Sequence, residues 1–118
     1  MAPPPPSKPD AVLALTTIGG LEDGRSLARG LVESRLVACV NLLPDLTSIY
    51  RWRGGIEEEA EILLLIKTTR DRLPEMRRWI DTNHPYEVPE LLLLDVDGGS
   101  ADYLAWLREA VTPSEGEE

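Results

Sequence analysis

The feature that most narrows the fold is a pair of glycines, Gly54-Gly55, set between two stretches of strand character. A two-residue glycine turn between such stretches closes an antiparallel hairpin. On the approach, Leu46, Ser48, Tyr50 and Trp52 share one face, and Thr47, Ile49 and Arg51 the other. The return strand runs from Ile56 to Thr68 through the apolar block Ile62 to Ile66. Counting back from a turn at the two glycines pairs Arg53 with Ile56, Trp52 with Glu57 and Arg51 with Glu58. The last is an opposite-charge pair, which favours that register.

The hairpin sits between two similar units. Ala11 to Ile18 is a nearly unbroken apolar run, as expected of a central strand covered on both faces. Gly19-Gly20 interrupts it. Leu21 to Leu36 then carries a helical stripe of Leu27, Ala28, Leu31 and Val32, with Glu22 and Asp23 near its start, where they suit the helix dipole. Val37 to Leu43 is a second apolar run, ending at Pro44. After the hairpin, Arg72 to Asp81 reads as a helix with the stripe Leu73, Met76 and Ile80, and Pro74 fits its first turn. A loop from Asn83 to Pro89 leads to a buried strand, Leu91 to Val96. Ser100 then caps a last helix bearing Tyr103, Leu104, Leu107 and Val111. The order β-α-β-β-α-β is the ferredoxin-like, split βαβ arrangement. It predicts an α+β fold, an antiparallel sheet with helices on one face, plus a C-terminal helix.

With 118 residues, one domain is expected over 11–112, flanked by a Pro-rich tail at 1–10 and an acidic tail at 113–118. The formal net charge of -9 argues against nucleic-acid and anionic-membrane partners. The single cysteine, Cys39, excludes an internal disulfide. Residues near position 1 contain no secretory apolar core, and no apolar run is long enough to span a bilayer, so a cytoplasmic location is expected.

The hairpin is long for so small a domain, and an isolated two-stranded ribbon is marginal in water. Packing of the ribbon on a neighbouring subunit, with Tyr50 and Trp52 at the boundary, would stabilise it. The alternative is a ribbon that folds back on its own sheet.

Several residues are candidates for a site. His84, the only histidine, is the best borderline-soft metal ligand, with Cys39, Glu87 or Glu90 as conceivable companions. It could equally fix its loop by hydrogen bonding. Cys39, between Ala38 and Val40, is either a ligand or a small buried hydrophobe. Lys67, Tyr86, Glu87 and Glu90 could line a polar pocket, with Glu87 or Glu90 pairing with Lys67 to bind a small charged ligand or to tie strand to loop. Glu57-Glu58-Glu59 and Glu61 read as a solvated ribbon edge. Trp79 and Trp106 adjoin helix stripes and are expected to pack. No nucleophile stands beside a base, and no phosphate loop or HExxH is present, so no enzymatic activity is expected.

Five segments together resemble the CutA family. They are Leu36-Val37-Ala38-Cys39-Val40-Asn41, Thr47-Ser48-Ile49-Tyr50-Arg51-Trp52-Arg53-Gly54, Lys67-Thr68-Thr69, His84-Pro85-Tyr86-Glu87-Val88-Pro89-Glu90 and Tyr103-Leu104-Ala105-Trp106-Leu107. The resemblance implies a ferredoxin-like, PII-like homotrimer and a pocket near the subunit boundary, with Asn41 among its residues. It also implies a role in divalent-cation tolerance, with copper or another divalent metal ion as a possible ligand, or else small-ligand sensing through a partner protein. Family members linked to copper carry a Cys in the first strand and His-His-Pro in the loop. This sequence has Leu15-Thr16-Thr17 and Asn83-His84-Pro85 there, so only His84 is kept.

Overall fold

A computed structural model describes residues 8–113. Most of the two tails, 1–7 and 114–118, lies outside the described residues. Strand β1 (Ala11–Ile18) leads to helix α1 (Leu21–Glu33). The long strands β2 (Cys39–Trp52) and β3 (Gly55–Thr69) form the hairpin. A 3-10 turn (Arg70–Arg72) enters α2 (Leu73–Asn83), and β4 (Leu92–Asp95) and α3 (Ala101–Ala110) follow. The sheet order is β2-β3-β1-β4 and every adjacent pair is antiparallel. This is the ferredoxin-like arrangement expected.

The alternation of each strand decides which residues meet the helices. Val12, Ala14 and Ile18 of β1 and Ile62, Leu64 and Ile66 of β3 form the main core with Leu27 and Leu31 of α1 and Met76 and Ile80 of α2. The helices cross closely. A Cβ on Gly30 would lie 2.5 Å from the Trp79 indole, so that position in α1 admits only glycine without displacing the ring. The second core is small. Ala11, Ala38, Leu107 and Val111 cluster there, and Ala11 has the opposite parity to Val12, so α3 caps one end of the other sheet face. Pro74 lies in the first turn of α2, and Ser100 caps α3 by accepting a hydrogen bond from the Tyr103 amide, both as expected.

Several expectations are corrected. The hairpin turn is made by Arg53 and Gly54, not Gly54-Gly55. Both have positive φ, 49° and 81°, as a type I′ turn requires. Trp52 therefore pairs with Gly55, Arg51 with Ile56 and Ile49 with Glu58. The opposite-charge pair Arg51–Glu58 does not form. The shift moves each partner by two residues, so the faces are unchanged. A bulge between Leu43 and Leu46 accommodates Pro44, which lacks a ladder donor, and Asp45 at φ 66°. Helix α1 stops at Glu33 rather than Leu36. Arg35 turns left-handed (φ 58°), the Leu36 amide donates to Leu31 O and the Arg35 amide to Val32 O, the bonds of a Schellman end. Residues Arg70–Arg72 form a 3-10 turn ahead of the second helix.

The largest correction concerns covering. Strand β4 is exposed along its whole length, Leu92 at 56% and Leu94 at 46%. It is an edge strand paired only with β1. By register Leu92 and Leu94 share a face with Leu13 and Leu15, and Leu63 and Leu65 of β3 continue that face. These four inner leucines are only half-buried, so β1 is fully covered on its helix face alone. On α3, Tyr103 and Trp106 stack 5.4 Å apart and remain exposed, because Leu104, Leu107 and Val111 take the packed side. The ribbon extends the molecule. The radius of gyration is 16.4 Å, against about 13 Å for a compact domain of roughly 100 residues.

Candidate functional site: an acidic, aromatic cavity under the ribbon

Where α2 ends, the chain turns into extended backbone at His84 and passes over the end of β1. His84 is 6% exposed. Its Nε2–H donates to Thr17 O at 2.9 Å, and the Tyr86 amide donates to its Nδ1 at 3.1 Å. Both ring nitrogens are thus engaged in fixing the loop, and this pattern requires the neutral Nε2–H tautomer. The Tyr86 ring meets His84 edge-on, with centroids 4.8 Å apart.

Tyr86 carries the loop to the sheet. Its hydroxyl donates to Glu61 Oε2 at 2.6 Å, and a Cβ on Gly19 would come within 3.1 Å of the hydroxyl oxygen. Glu61 is a buried carboxylate, 6% exposed. Burial, then the hydrogen bond and charge of Glu61, push the Tyr86 phenol well above its usual range. Tyr50 is also raised, by desolvation first and then by Glu59 and its neighbouring carboxylates. Further along the loop, Glu87 accepts from Arg53 Nη2 at 2.8 Å, and the Arg53 guanidinium lies 5.3 Å from the Trp52 ring centroid. The loop is therefore tied to the sheet at Tyr86 and to the ribbon turn at Glu87.

Between loop and ribbon lies a cavity of about 570 Å³. Its walls are the ribbon residues Ser48, Tyr50, Trp52, Glu59 and Glu61, the loop residues Tyr86, Glu87, Val88 and Glu90, and Thr17 of β1, with Ile49 alongside. Four carboxylates and three aromatic rings face this space, and no lysine or arginine is among the lining residues. The Leu46-to-Trp52 alternation anticipated Ser48, Tyr50 and Trp52 on one face. The same alternation on β3 places Glu57, Glu59 and Glu61 on that face, so Glu59 and Glu61 join the walls; Glu57, Glu58 and Glu59 are exposed, as a solvated edge would be, and only Glu61 is buried. The two wall residues were legible in the parity of β3 counted from the apolar block. Arg53 and Thr17, in contrast, carry no sequence signal for this site.

The remaining candidates lie elsewhere. Lys67 donates to Asn41 Oδ1 and pairs across the ladder with Cys39. It stands six residues along β3 from Glu61, roughly 20 Å at about 3.3 Å per residue. Neither Glu87 nor Glu90 is its hydrogen-bond partner; the loop docks at the other end of the sheet. Asn41 and Lys67 are thus outside the cavity. Cys39 is aligned through Lys67 with Leu13, while His84 contacts Thr17, four residues along β1, roughly 13 Å away. Within one chain the two metal-ligand candidates are not brought together. Among the described residues, no three His, Cys, Asp or Glu side chains are grouped to hold a metal ion. Thr16, which stands in the first-strand segment where copper-linked members carry Cys, is fully buried, and its hydroxyl has no hydrogen-bond partner among the described residues.

The family model for the CutA1 divalent ion tolerance protein matches residues 12–110. The divalent-cation tolerance protein CutA of Thermus thermophilus is 47% identical over 97 residues, covering 82% of this chain and 94% of that protein. Human protein CutA is 44% identical over 96 residues, 81% of this chain, but the chain spans only about half of it, 54%. The crystal structure of CutA1 from Oryza sativa superimposes with a TM-score of 0.86 at 34% identity, covering 91% of this chain and 98% of that one.

Proposed function

This chain belongs to the CutA1 divalent ion tolerance family, and on that premise we propose that it acts in the response to divalent metal ions as a non-catalytic, cytoplasmic homotrimer. The observation that carries the assembly is the leucine face of the sheet. Leu13, Leu15, Leu63, Leu65, Leu92 and Leu94 share it, and none is buried within the chain. A contiguous apolar face of this kind marks an interaction surface, and the open edges of β2 and β4 offer unpaired backbone groups beside it. Closed symmetry with copies of itself would cover both.

The residues present do not fit a tight copper centre in one chain. The His84 nitrogens are both used, and Cys39 is distant. Tolerance is therefore assigned to the assembly and its contacts rather than to a resident ion. A second reading has its own support. The cavity of about 570 Å³ suits a small-ligand sensor or adaptor that signals through a partner protein.

Light scattering tests the assembly, with a trimer expected. A monomer at micromolar concentration would overturn it. Copper(II) titrated by calorimetry should give weak uptake that His84→Ala leaves unchanged. A fixed stoichiometry lost in His84→Ala would restore a metal centre at the loop.

A further inference from the structure

The cavity has a definite chemistry. Glu59, Glu61, Glu87 and Glu90 give it negative charge, and Tyr50, Trp52 and Tyr86 give it π-faces. A cation over an aromatic face is attracted by the ring quadrupole, more strongly when the site sheds water. No basic side chain lines the walls, so an anion would face four carboxylates with only hydroxyl and indole N–H donors to set against them. A bare divalent ion needs several oxygens closing on one point, and the carboxylates are not so grouped. A small organic cation matches both the spread of charge and the rings.

The chain already shows this chemistry at the cavity's mouth. The Arg53 guanidinium lies over the Trp52 ring and pairs with Glu87, one of the lining carboxylates. An organic cation is held there by one ring and one carboxylate, as a free guest would be further in. The field is felt by the other walls too, since the Tyr50 phenol is raised partly by the charges of Glu59 and Glu61.

We propose that this cavity binds a small organic ammonium or guanidinium cation, gripped by Trp52 and Tyr50 and neutralised by Glu59 and Glu87. The proposal rests on the small-ligand reading above and names the ligand class. Arg53 then acts as an internal competitor for Trp52 and Glu87.

The test uses calorimetry at fixed ionic strength with choline, its neutral isostere 3,3-dimethylbutan-1-ol, agmatine, and acetate and ATP as anions. Choline or agmatine should bind, with the neutral isostere about fivefold weaker, the factor expected for a cation–π contact on partly exposed rings. Glu59→Gln and Trp52→Leu should each weaken the cation by about fivefold. Arg53→Ala should tighten it, an outcome that a folding defect cannot imitate. If the neutral isostere binds as well as choline, or an anion binds instead, the cation chemistry is wrong while the small-ligand reading stands. If no probe binds at millimolar concentration, both fail. Cation binding unchanged in Glu59→Gln and Trp52→Leu is diffuse adsorption to the acidic surface and overturns the proposal.

Discussion

Replacing Tyr86 with Phe isolates one hydrogen bond. The ring would keep its edge-on contact with His84, so the packing is conserved and only the hydroxyl is lost. That hydroxyl donates to Glu61 at 2.6 Å, and Glu61 is 6% exposed. A hydrogen bond to a charged group contributes about 1.5–3 kcal/mol, and an unpaired buried carboxylate forfeits that amount. The adjoining cavity lets water reach Glu61 in the variant, which places the loss near the lower end, about 1.5–2 kcal/mol. At about 4 °C per kcal/mol for a domain near 100 residues, the melting temperature should fall by about 6–8 °C.

The assay is urea unfolding at fixed protomer concentration, since the proposed assembly would make stability concentration-dependent. Tyr86→Phe, Glu61→Gln and the double variant form a cycle that extracts the pairwise energy. A coupling of about 1 kcal/mol or more is expected. A coupling within about 0.3 kcal/mol of zero, at the usual limit of additivity, refutes the reasoning. The pH dependence adds a second check. The phenol is raised in the folded state, so between its ordinary value of 10.0 and the higher folded value the native chain holds a proton that the unfolded chain has lost. The stabilisation is complete below pH 10 and is lost as pH rises through the folded value. Tyr86→Phe should flatten that alkaline loss.

Three further outcomes follow from single side chains. Gly30→Ala should destabilise the chain despite alanine's better helix propensity, because its Cβ would press on the Trp79 indole; a melting temperature above wild type would refute this. Thr16→Val removes a buried hydroxyl that has no partner among the described residues, and should stabilise by about 1 kcal/mol in denaturant titration; a loss would reveal a partner for it. Asp71 is held below its ordinary range first by the Thr69 hydroxyl, at 2.6 Å, against some desolvation, and then by Arg108. Its contribution is present above about pH 4 and lost as pH falls through the lower folded value, so Asp71→Asn should show a shallower acid decline in urea midpoint between pH 5 and 3.

The strand and helix order was readable because each element carries its own periodicity. The register was not, because Arg53 is an unremarkable residue in a left-handed turn position, and a Gly-Gly pair allows two placements of the turn. The site was readable in part. The resemblance drew attention to Tyr86 and Glu87, but their partners, Glu61 and Arg53, are set by where the loop docks, 25 and 34 residues away along the chain. Within one chain Lys67 meets Asn41 rather than a loop carboxylate for the same reason, since charge complementarity says nothing about which end of a strand a loop will reach.

Strand β4 makes the general point. Four leucines in a row, Leu91 to Leu94, read as a buried strand, yet three of them are exposed in the single chain. A single exposed leucine carries little information, but a contiguous exposed leucine face marks an interaction surface without saying what covers it. The apolar signal of β4 and the over-long ribbon therefore belong together. Both are sequence features that one copy of the chain leaves unsatisfied, one as bare leucine side chains and the other as unpaired strand edges. A self-association that buried the leucine face but left the ribbon free would account for only half of what the sequence specifies. The cavity lies between the ribbon and the loop, so assembly through the ribbon would also set how far its mouth opens. In a trimer assembled that way, occupancy of the cavity and the strength of self-association would be coupled, and by linkage a ligand that favoured one assembly state would have to bind that state more tightly.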